Sequence, residues 1–66
     1  MYQVIYFKDG CLHTYCGCNM PLDIAKVYLA KFKDNYLNQD GSGKPYPNGK
    51  GFYAFTNPQI VLSALL

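Results

Sequence analysis

The Asp9-Gly10 pair constrains the fold of this chain more than any other feature of its sequence. The pair lies between Tyr2–Lys8 and Cys11–Cys16, two segments whose β-branched and aromatic residues favour strands. An Asp-Gly pair suits the two-residue type I′ turn, because that turn needs a positive φ at both central positions. The sequence therefore predicts a β-hairpin closed by a two-residue turn.

A two-residue turn also predicts which residues face each other and which side chains share a face of the hairpin. The predicted pairs are Lys8 with Cys11, Phe7 with Leu12, Tyr6 with His13, Ile5 with Thr14, and Val4 with Tyr15. Side chains alternate along a strand, so one face should carry Ile5, Phe7, Leu12, Thr14 and Cys16. The other face should carry Tyr2, Val4, Tyr6, Lys8, Cys11, His13 and Tyr15.

A helix is predicted to follow the hairpin, starting at Asn19-Met20-Pro21. Asparagine is a favourable cap and proline suits the first helical turn. The apolar residues that recur at helical spacing are Leu22, Ala25, Leu29, Phe32 and Tyr36. With Gly41 as a suitable stop, the pattern predicts an amphipathic helix of roughly 17 residues that buries Leu29 and Phe32.

The rest of the chain, from Asp40 onward, is predicted to form a loop, a strand and an apolar tail. Asp40–Gly51 contains four glycines and two prolines, which predicts a flexible loop. Gly51–Phe55 is short and aromatic, and we predict it to be the third strand. Asn57-Pro58 resembles a helix cap, so Gln59–Leu66 is predicted to be a short apolar helix. A buried strand is the alternative, because an all-apolar run has no period.

These elements make one α+β domain over residues 1–66. The predicted architecture is a small antiparallel three-stranded sheet, formed by the β-hairpin and the third strand, with the amphipathic helix between them and the short apolar C-terminal helix or strand after them. Half of the residues are apolar and 15% are charged, a balance typical of globular domains. No apolar run approaches the roughly 20 residues of a membrane helix, and no secretory signal is recognisable. We therefore expect a cytoplasmic protein with reduced thiols.

The cysteines and the single histidine lie close together, in the pattern Cys11-x-His13-x-x-Cys16-x-Cys18. Zinc prefers such ligands. A regular strand, however, sends Cys11 and His13 to one face and Cys16 and Cys18 to the other, and no second ligand pair exists elsewhere. The sequence predicts free thiols, no metal site and no cofactor.

Catalytic groups are sparse in this sequence. His13 is the single histidine, and the four carboxylates are aspartates in predicted turns and the helix. Cys11 and His13 share a face, but residues two apart on a strand are about 6–7 Å apart, too far for a hydrogen bond. We expect no enzymatic activity.

Seven tyrosines without a tryptophan are the most unusual feature of the composition. We expect the helix to cover the Ile5 and Phe7 side of the sheet, which leaves the tyrosine-bearing face partly bare. Tyrosine combines a large apolar ring with a polar tip and is common at contact sites. The predicted partner-binding residues, on this face, on the third strand and in the loop, are Tyr2, Tyr6, Lys8, His13, Tyr15, Lys44, Tyr46, Lys50 and Tyr53.

Together these features predict a small non-enzymatic module that binds another protein. Its compact, tyrosine-rich, single-domain character is common among accessory and inhibitor proteins of phages and mobile elements. Two alternatives stay open. A single-stranded nucleic acid would stack its bases on the tyrosines and place phosphates on the lysines, although a net charge of +2 is small for that role. A homodimer or larger homo-oligomer would bury the tyrosines against a second copy.

Overall fold

The computed structural model describes all 66 residues, Met1–Leu66. Its elements are β1 (Tyr2–Lys8), β2 (Cys11–Thr14), α1 (Leu22–Tyr36), β3 (Phe55–Leu62) and a 3₁₀ turn at Ser63–Leu65. The three strands form one antiparallel sheet in the order β2-β1-β3, so the first strand is the central one. The predicted small α+β fold is confirmed.

The hairpin forms in the predicted register. Asp9 and Gly10 both have positive φ, 53° and 77°, as a type I′ turn requires. The pairs from Lys8–Cys11 to Ile5–Thr14 all form. The Tyr15 amide also donates to the Val4 carbonyl at 2.9 Å, so the pairing continues past the end of β2.

Helix α1 is 15 residues long and begins directly after Pro21, whose backbone is extended. Phe32 is fully buried, as predicted, and Leu29 is half-buried against the core. The helix ends at Tyr36, earlier than Gly41, because Leu37 turns into extended backbone and bridges to Gly43. Nothing in the structure is both helical and apolar over the length needed to cross a membrane.

The third strand was predicted at the wrong place. It runs over Phe55–Leu62 rather than Gly51–Phe55. The apolar tail Gln59–Leu66, predicted as a helix with a strand as the alternative, is strand as far as Leu62 and then a 3₁₀ turn over Ser63–Leu65. Asn57-Pro58 is not a helix cap. Asn57 adopts a φ of 51°, where the β1–β3 register shifts in a bulge. A bulge on an edge strand tolerates proline, because no ladder hydrogen bond is lost there.

The segment between α1 and β3 is predicted as a flexible loop, but it is tied by backbone hydrogen bonds. Tyr53 donates to the Lys44 carbonyl at 3.0 Å, and Tyr46 donates to the Gly51 carbonyl at 2.9 Å. Gly43 lies so close to this turn that a Cβ atom would meet the Tyr53 carbonyl oxygen at 1.7 Å. The loop therefore folds back on itself as an irregular hairpin beside the end of α1.

The helix packs on the tyrosine-bearing face, so the expectation that it covers the Ile5 and Phe7 side is wrong. One cluster of buried residues on this side is Val4, Met20 and Ala25, and the half-buried residues packed around it are Tyr2, Tyr15, Tyr28, Leu29 and Ile60. The physical reason lies in the chain leading into the helix. Met20 exchanges two backbone hydrogen bonds with Tyr2, at 2.8 and 2.9 Å, which fixes where the helix starts. On this side, the helix buries the larger set of aromatic rings.

Candidate functional site

An aromatic cluster fills the space between α1 and the sheet, and Phe32 lies at its centre. The Phe32 ring centroid is 4.8 Å from that of Tyr6, 5.3 Å from that of Tyr15 and 5.2 Å from that of Tyr36. Phe32 itself has no exposed surface, whereas these tyrosines are half-buried. Tyr6 and Tyr15, two of the predicted partner-binding residues, are therefore walls of the core rather than a bare surface.

The rim of the aromatic cluster is more accessible. His13 is exposed and stacks on Tyr6, with ring centroids 5.3 Å apart and planes 13° apart. Lys8 Nζ lies 5.9 Å from the centroid of the Phe55 ring. At the loop end of the cluster, Tyr53 meets Tyr46 edge-on at 4.7 Å. The packing between rings leaves few ring faces free for a stacked ligand.

The remaining predicted site residues are dispersed. Tyr2 packs half-buried against the Val4 and Met20 core. Lys44 Nζ donates to the main-chain oxygen of Asp34, near the end of α1, and Lys50 lies exposed in the loop. The nine residues do not form one surface, and their role in binding a partner stays a prediction.

Tyr36 is a half-buried member of the aromatic cluster, at the end of α1. Burial raises the pKa of Tyr36 above its usual value, and electrostatic interaction with Tyr15, Tyr53 and Tyr6 raises it further. A phenol whose pKa is raised keeps its proton more firmly. Tyr36 therefore acts here as a neutral, packed side chain.

The cysteines are free and exposed. No three side chains of histidine, cysteine, aspartate or glutamate lie close enough together to hold a metal ion. Cys11 and His13 belong to β2, whereas Cys16 and Cys18 lie in the segment that leads to α1, and the His13 ring is stacked on Tyr6. The three cysteines and His13 are close in sequence, but their side chains do not form a group that could hold a metal ion.

The opposite side of the sheet has no α-helix over it, and we call it the uncovered face. Strand alternation and the observed pairing place eight side chains there: Gln3, Ile5, Phe7, Leu12, Thr14, Thr56, Gln59 and Val61. Leu12 is 47% exposed, Phe7 and Val61 are half-buried, and the central Ile5 is buried. None of the eight is charged. The hairpin register already grouped Ile5, Phe7, Leu12 and Thr14, so sequence reasoning found part of this surface but assigned it to the core.

An open groove of about 710 Å³ lies between the end of α1 and the start of β3. Its lining residues are Lys33, Asp34, Leu37, Asn38, Gln39, Gly41, Phe55, Thr56, Asn57 and Pro58. The Asn38 amide of this lining already donates to Ser42 Oγ at 3.0 Å. Small-molecule sites of similar volume are mostly apolar and enclosed, whereas this groove is open and most of its lining residues are polar.

Comparison with known proteins gives no relative for this chain. No family model matches it, and neither a curated protein nor a solved structure is significantly similar to it.

Proposed function

We propose that this chain is a non-enzymatic protein-binding module whose partner docks on the uncovered face. The observation that carries the proposal is the contrast within that face: it bears no charged side chain, yet its Leu12 is 47% exposed. Interface centres are depleted in charged residues and enriched in apolar ones. An exposed apolar residue at an uncharged sheet surface is the arrangement that a protein partner would bury.

The charge distribution favours a protein over a nucleic acid on this surface. All six basic residues are lysines, and none of them belongs to the uncovered face. Lys8 lies on the other face, above the Phe55 ring. A nucleic acid would need cations near its phosphates. A neutral protein patch would instead place apolar atoms on Leu12 and Phe7 and pair its polar groups with the exposed Thr14 and Gln59.

The aromatic cluster gives this surface a firm support. Phe32 and the tyrosines around it hold β1 from behind, so the strand that carries Phe7 and Ile5 is fixed before a partner arrives. A preformed surface loses little conformational entropy on binding. Such a module suits a cytoplasmic accessory or inhibitor protein of a phage or mobile element, because that role requires occupying a partner's surface rather than chemistry.

The test compares two exposed apolar residues of similar accessibility. Leu12 on the uncovered face is 47% exposed and Ile24 on α1 is 42% exposed. Proteins captured from source-cell lysate by the wild-type chain are purified, and their affinity is measured by calorimetry. We expect Leu12→Asp to weaken binding at least about tenfold, as the loss of an interface anchor does, and Ile24→Asp to change it less than about twofold.

Circular dichroism of both variants verifies that they remain folded. Equal affinity of Leu12→Asp and wild type for every captured protein would overturn the proposal. An affinity that falls steeply with salt and is lost after nuclease treatment would instead assign the chain to nucleic-acid binding.

A further inference from the structure

The hydrogen bonds of β1 show which of its backbone groups point toward β3. Tyr2 exchanges both of its backbone bonds with Met20, and the Val4 carbonyl accepts from the Tyr15 amide. These partners all lie on the β2 side of the strand. Because backbone groups alternate in direction along an antiparallel strand, Gln3, between Tyr2 and Val4, directs its amide and carbonyl toward β3.

The same alternation shows which groups of β3 have no strand beside them. Gln3 pairs with Val61, and the Ser63 amide donates to the Met1 carbonyl at 3.0 Å. Val61 and Ser63 therefore use the inner side of β3. The amides and carbonyls of Ile60 and Leu62 point away from the sheet, along an edge that no other strand occupies.

The two halves of β3 differ in how this edge is protected. Natural edge strands are blunted by proline, bulges or charged side chains. Residues 55–58 have a bulge with Asn57 at positive φ, followed by Pro58. Gln59–Leu62 has neither, and no side chain from residue 59 to residue 66 is charged. The second half of β3 is thus an unprotected edge.

Exposed apolar side chains flank the unprotected half of β3. Of the nine large hydrophobic residues that are exposed in the chain, four lie here: Met1 at 63%, Leu62 at 46%, Leu65 at 76% and Leu66 at 52%. Met1 is adjacent because its carbonyl accepts the Ser63 amide. Edge backbone groups and exposed apolar surface therefore coincide in one region.

We propose that a second copy of this chain pairs with β3 along this edge, antiparallel and about a two-fold axis at Val61. In this register, Ile60 faces Leu62 of the second copy and Leu62 faces Ile60 of the second copy. Each of these residues directs its amide and carbonyl outward, so the two pairs form four backbone hydrogen bonds. The two sheets become one sheet of six strands, with both uncovered faces on the same side.

The chemistry of the edge selects a second copy as its occupant. A two-fold antiparallel pair brings each residue close to itself or to its near neighbours, so a charge near the axis would face its own like charge. The side chains of residues 59–66 carry no charge, so those nearest the axis, Ile60, Val61 and Leu62, avoid this repulsion. A stable interface buries roughly 800 Å² per partner, against a total surface of 4517 Å². The contact must therefore include the flanking Met1, Leu65 and Leu66 as well as the strand.

Leu62→Pro tests the backbone pairing. Leu62 has a φ of −65°, the value that proline imposes, and its amide faces outward, so the substitution removes edge bonds without removing a β1–β3 bond. We expect the wild type to be a dimer in analytical ultracentrifugation, and Leu62→Pro to raise its dissociation constant at least about tenfold.

A charge exchange at the axis separates pairing from general destabilisation. Val61→Lys and Val61→Glu should each be monomeric, because like charges meet at the two-fold axis. An equimolar mixture of the two should recover the dimer. Val27→Lys is the matched control: Val27 is 51% exposed on α1, and this variant should remain dimeric.

A wild-type chain that is monomeric up to about 100 μM, a concentration well above typical dimer dissociation constants, would overturn the proposal. So would a mixture that stays monomeric although both charge variants are folded, or a dimer that survives Leu62→Pro and is broken by Leu12→Asp. The inference does not rest on the proposed function, because the contact uses the strand edge. If the chain is monomeric and Leu12→Asp still abolishes partner binding, the dimer proposal fails and the proposed function stands.

Discussion

On one side of the sheet, Val4 and the tyrosines of β1 pack beneath α1; on the other, Ile5 and Phe7 lie with no helix above them. At the centre of the sheet the two sides are equally buried, since Val4 is 1% exposed and Ile5 is 3% exposed. The sides differ in what lies above them. On the helix side, the exposed His13 stacks on Tyr6 and the half-buried Tyr15 packs against Phe32, whereas Leu12 on the other side is 47% exposed with no helix above it. The central strand has buried residues on both faces, and the helix above the sheet determines which face can receive a partner.

The largest difference between the two faces should appear with Phe32→Ala and Leu12→Ala. Removing the fully buried Phe32 ring leaves a cavity in the aromatic cluster and should cost about 3–5 kcal/mol of unfolding free energy. Leu12→Ala should cost about 1 kcal/mol or less, because half of the side chain is already in water. Urea denaturation followed by circular dichroism measures both values. A Leu12→Ala cost close to that of Phe32→Ala would mean that the uncovered face is buried in solution.

Two valines offer a closer match, since the deleted atoms are identical. Val4 is 1% exposed on the helix-covered side, and Val61 is half-buried on the uncovered face. We expect Val4→Ala to destabilise the fold by roughly 2–3 kcal/mol and Val61→Ala by about 1 kcal/mol or less. The measurement is made at low micromolar concentration, where self-association contributes least. Equal costs for the two valines would contradict the difference between the faces.

Alkaline pH should distinguish the two faces through Tyr36 on the helix-covered side, since the uncovered face has no titratable side chain. The pKa of Tyr36 is raised in the fold above the ordinary value of 10.0. As the pH rises past that value, the unfolded chain loses its proton before the folded one, so unfolding becomes more favourable. Stability should therefore fall above about pH 10, and less steeply in Tyr36→Phe, which keeps the other six tyrosines. Urea midpoints of the wild type and of Tyr36→Phe, measured below and above this pH, check the prediction. An equal loss of stability in the two proteins would contradict it.

The smallest effect is expected at Asp40, in the loop beyond both faces. The Ser42 hydroxyl donates to the Asp40 carboxylate at 2.6 Å and the Ser42 amide donates to it at 2.9 Å. These bonds lower the pKa of Asp40 below its ordinary 3.8. The stabilisation of the fold by these two hydrogen bonds is present above the ordinary pKa of Asp40. It is lost as the pH falls through the lower pKa of Asp40 in the folded chain. In Ser42→Ala, the Asp40 carboxyl should titrate at a higher pH by NMR, while the resonances of Phe32 and Leu12 stay unchanged. An unshifted titration would show that the hydroxyl bond is absent in solution.

The hairpin and the helix could be predicted because their signals are local. Asp9-Gly10 specifies a turn, and the spacing from Ala25 to Phe32 specifies one face of a helix. The side of the sheet that receives the helix could not be predicted. Both faces of β1 are apolar, and the choice depends on Met20 bonding to Tyr2, a contact between residues far apart in sequence.

The same limit explains the errors at the C-terminal end and at the candidate site. The Asn57-Pro58 sequence is compatible with a helix cap and with a strand bulge. It forms a bulge because Thr56 and Gln59 on either side of it pair with β1. The prediction of Tyr2, Tyr6, Lys8, His13, Tyr15 and Tyr53 as partner-binding residues depends on a bare tyrosine-bearing face, whereas that of Lys44, Tyr46 and Lys50 depends on a flexible loop. With the helix on that face, Tyr6 and Tyr15 became core, and the uncovered residues grouped by the same register became the stronger candidates.

The central position of β1 has a consequence for the order in which the chain folds. Its pairing with β2 closes a two-residue turn, whereas its pairing with β3 joins Tyr2 to Leu62 across nearly the whole chain. Contacts of such long range form slowly, because a large loop must close first. The bonds that tie Tyr53 to Lys44 shorten the path by folding the intervening loop on itself. We therefore expect β3 to pair last, which leaves one edge of β1 open until then; the rate of that step would set how long a newly made chain is exposed to aggregation.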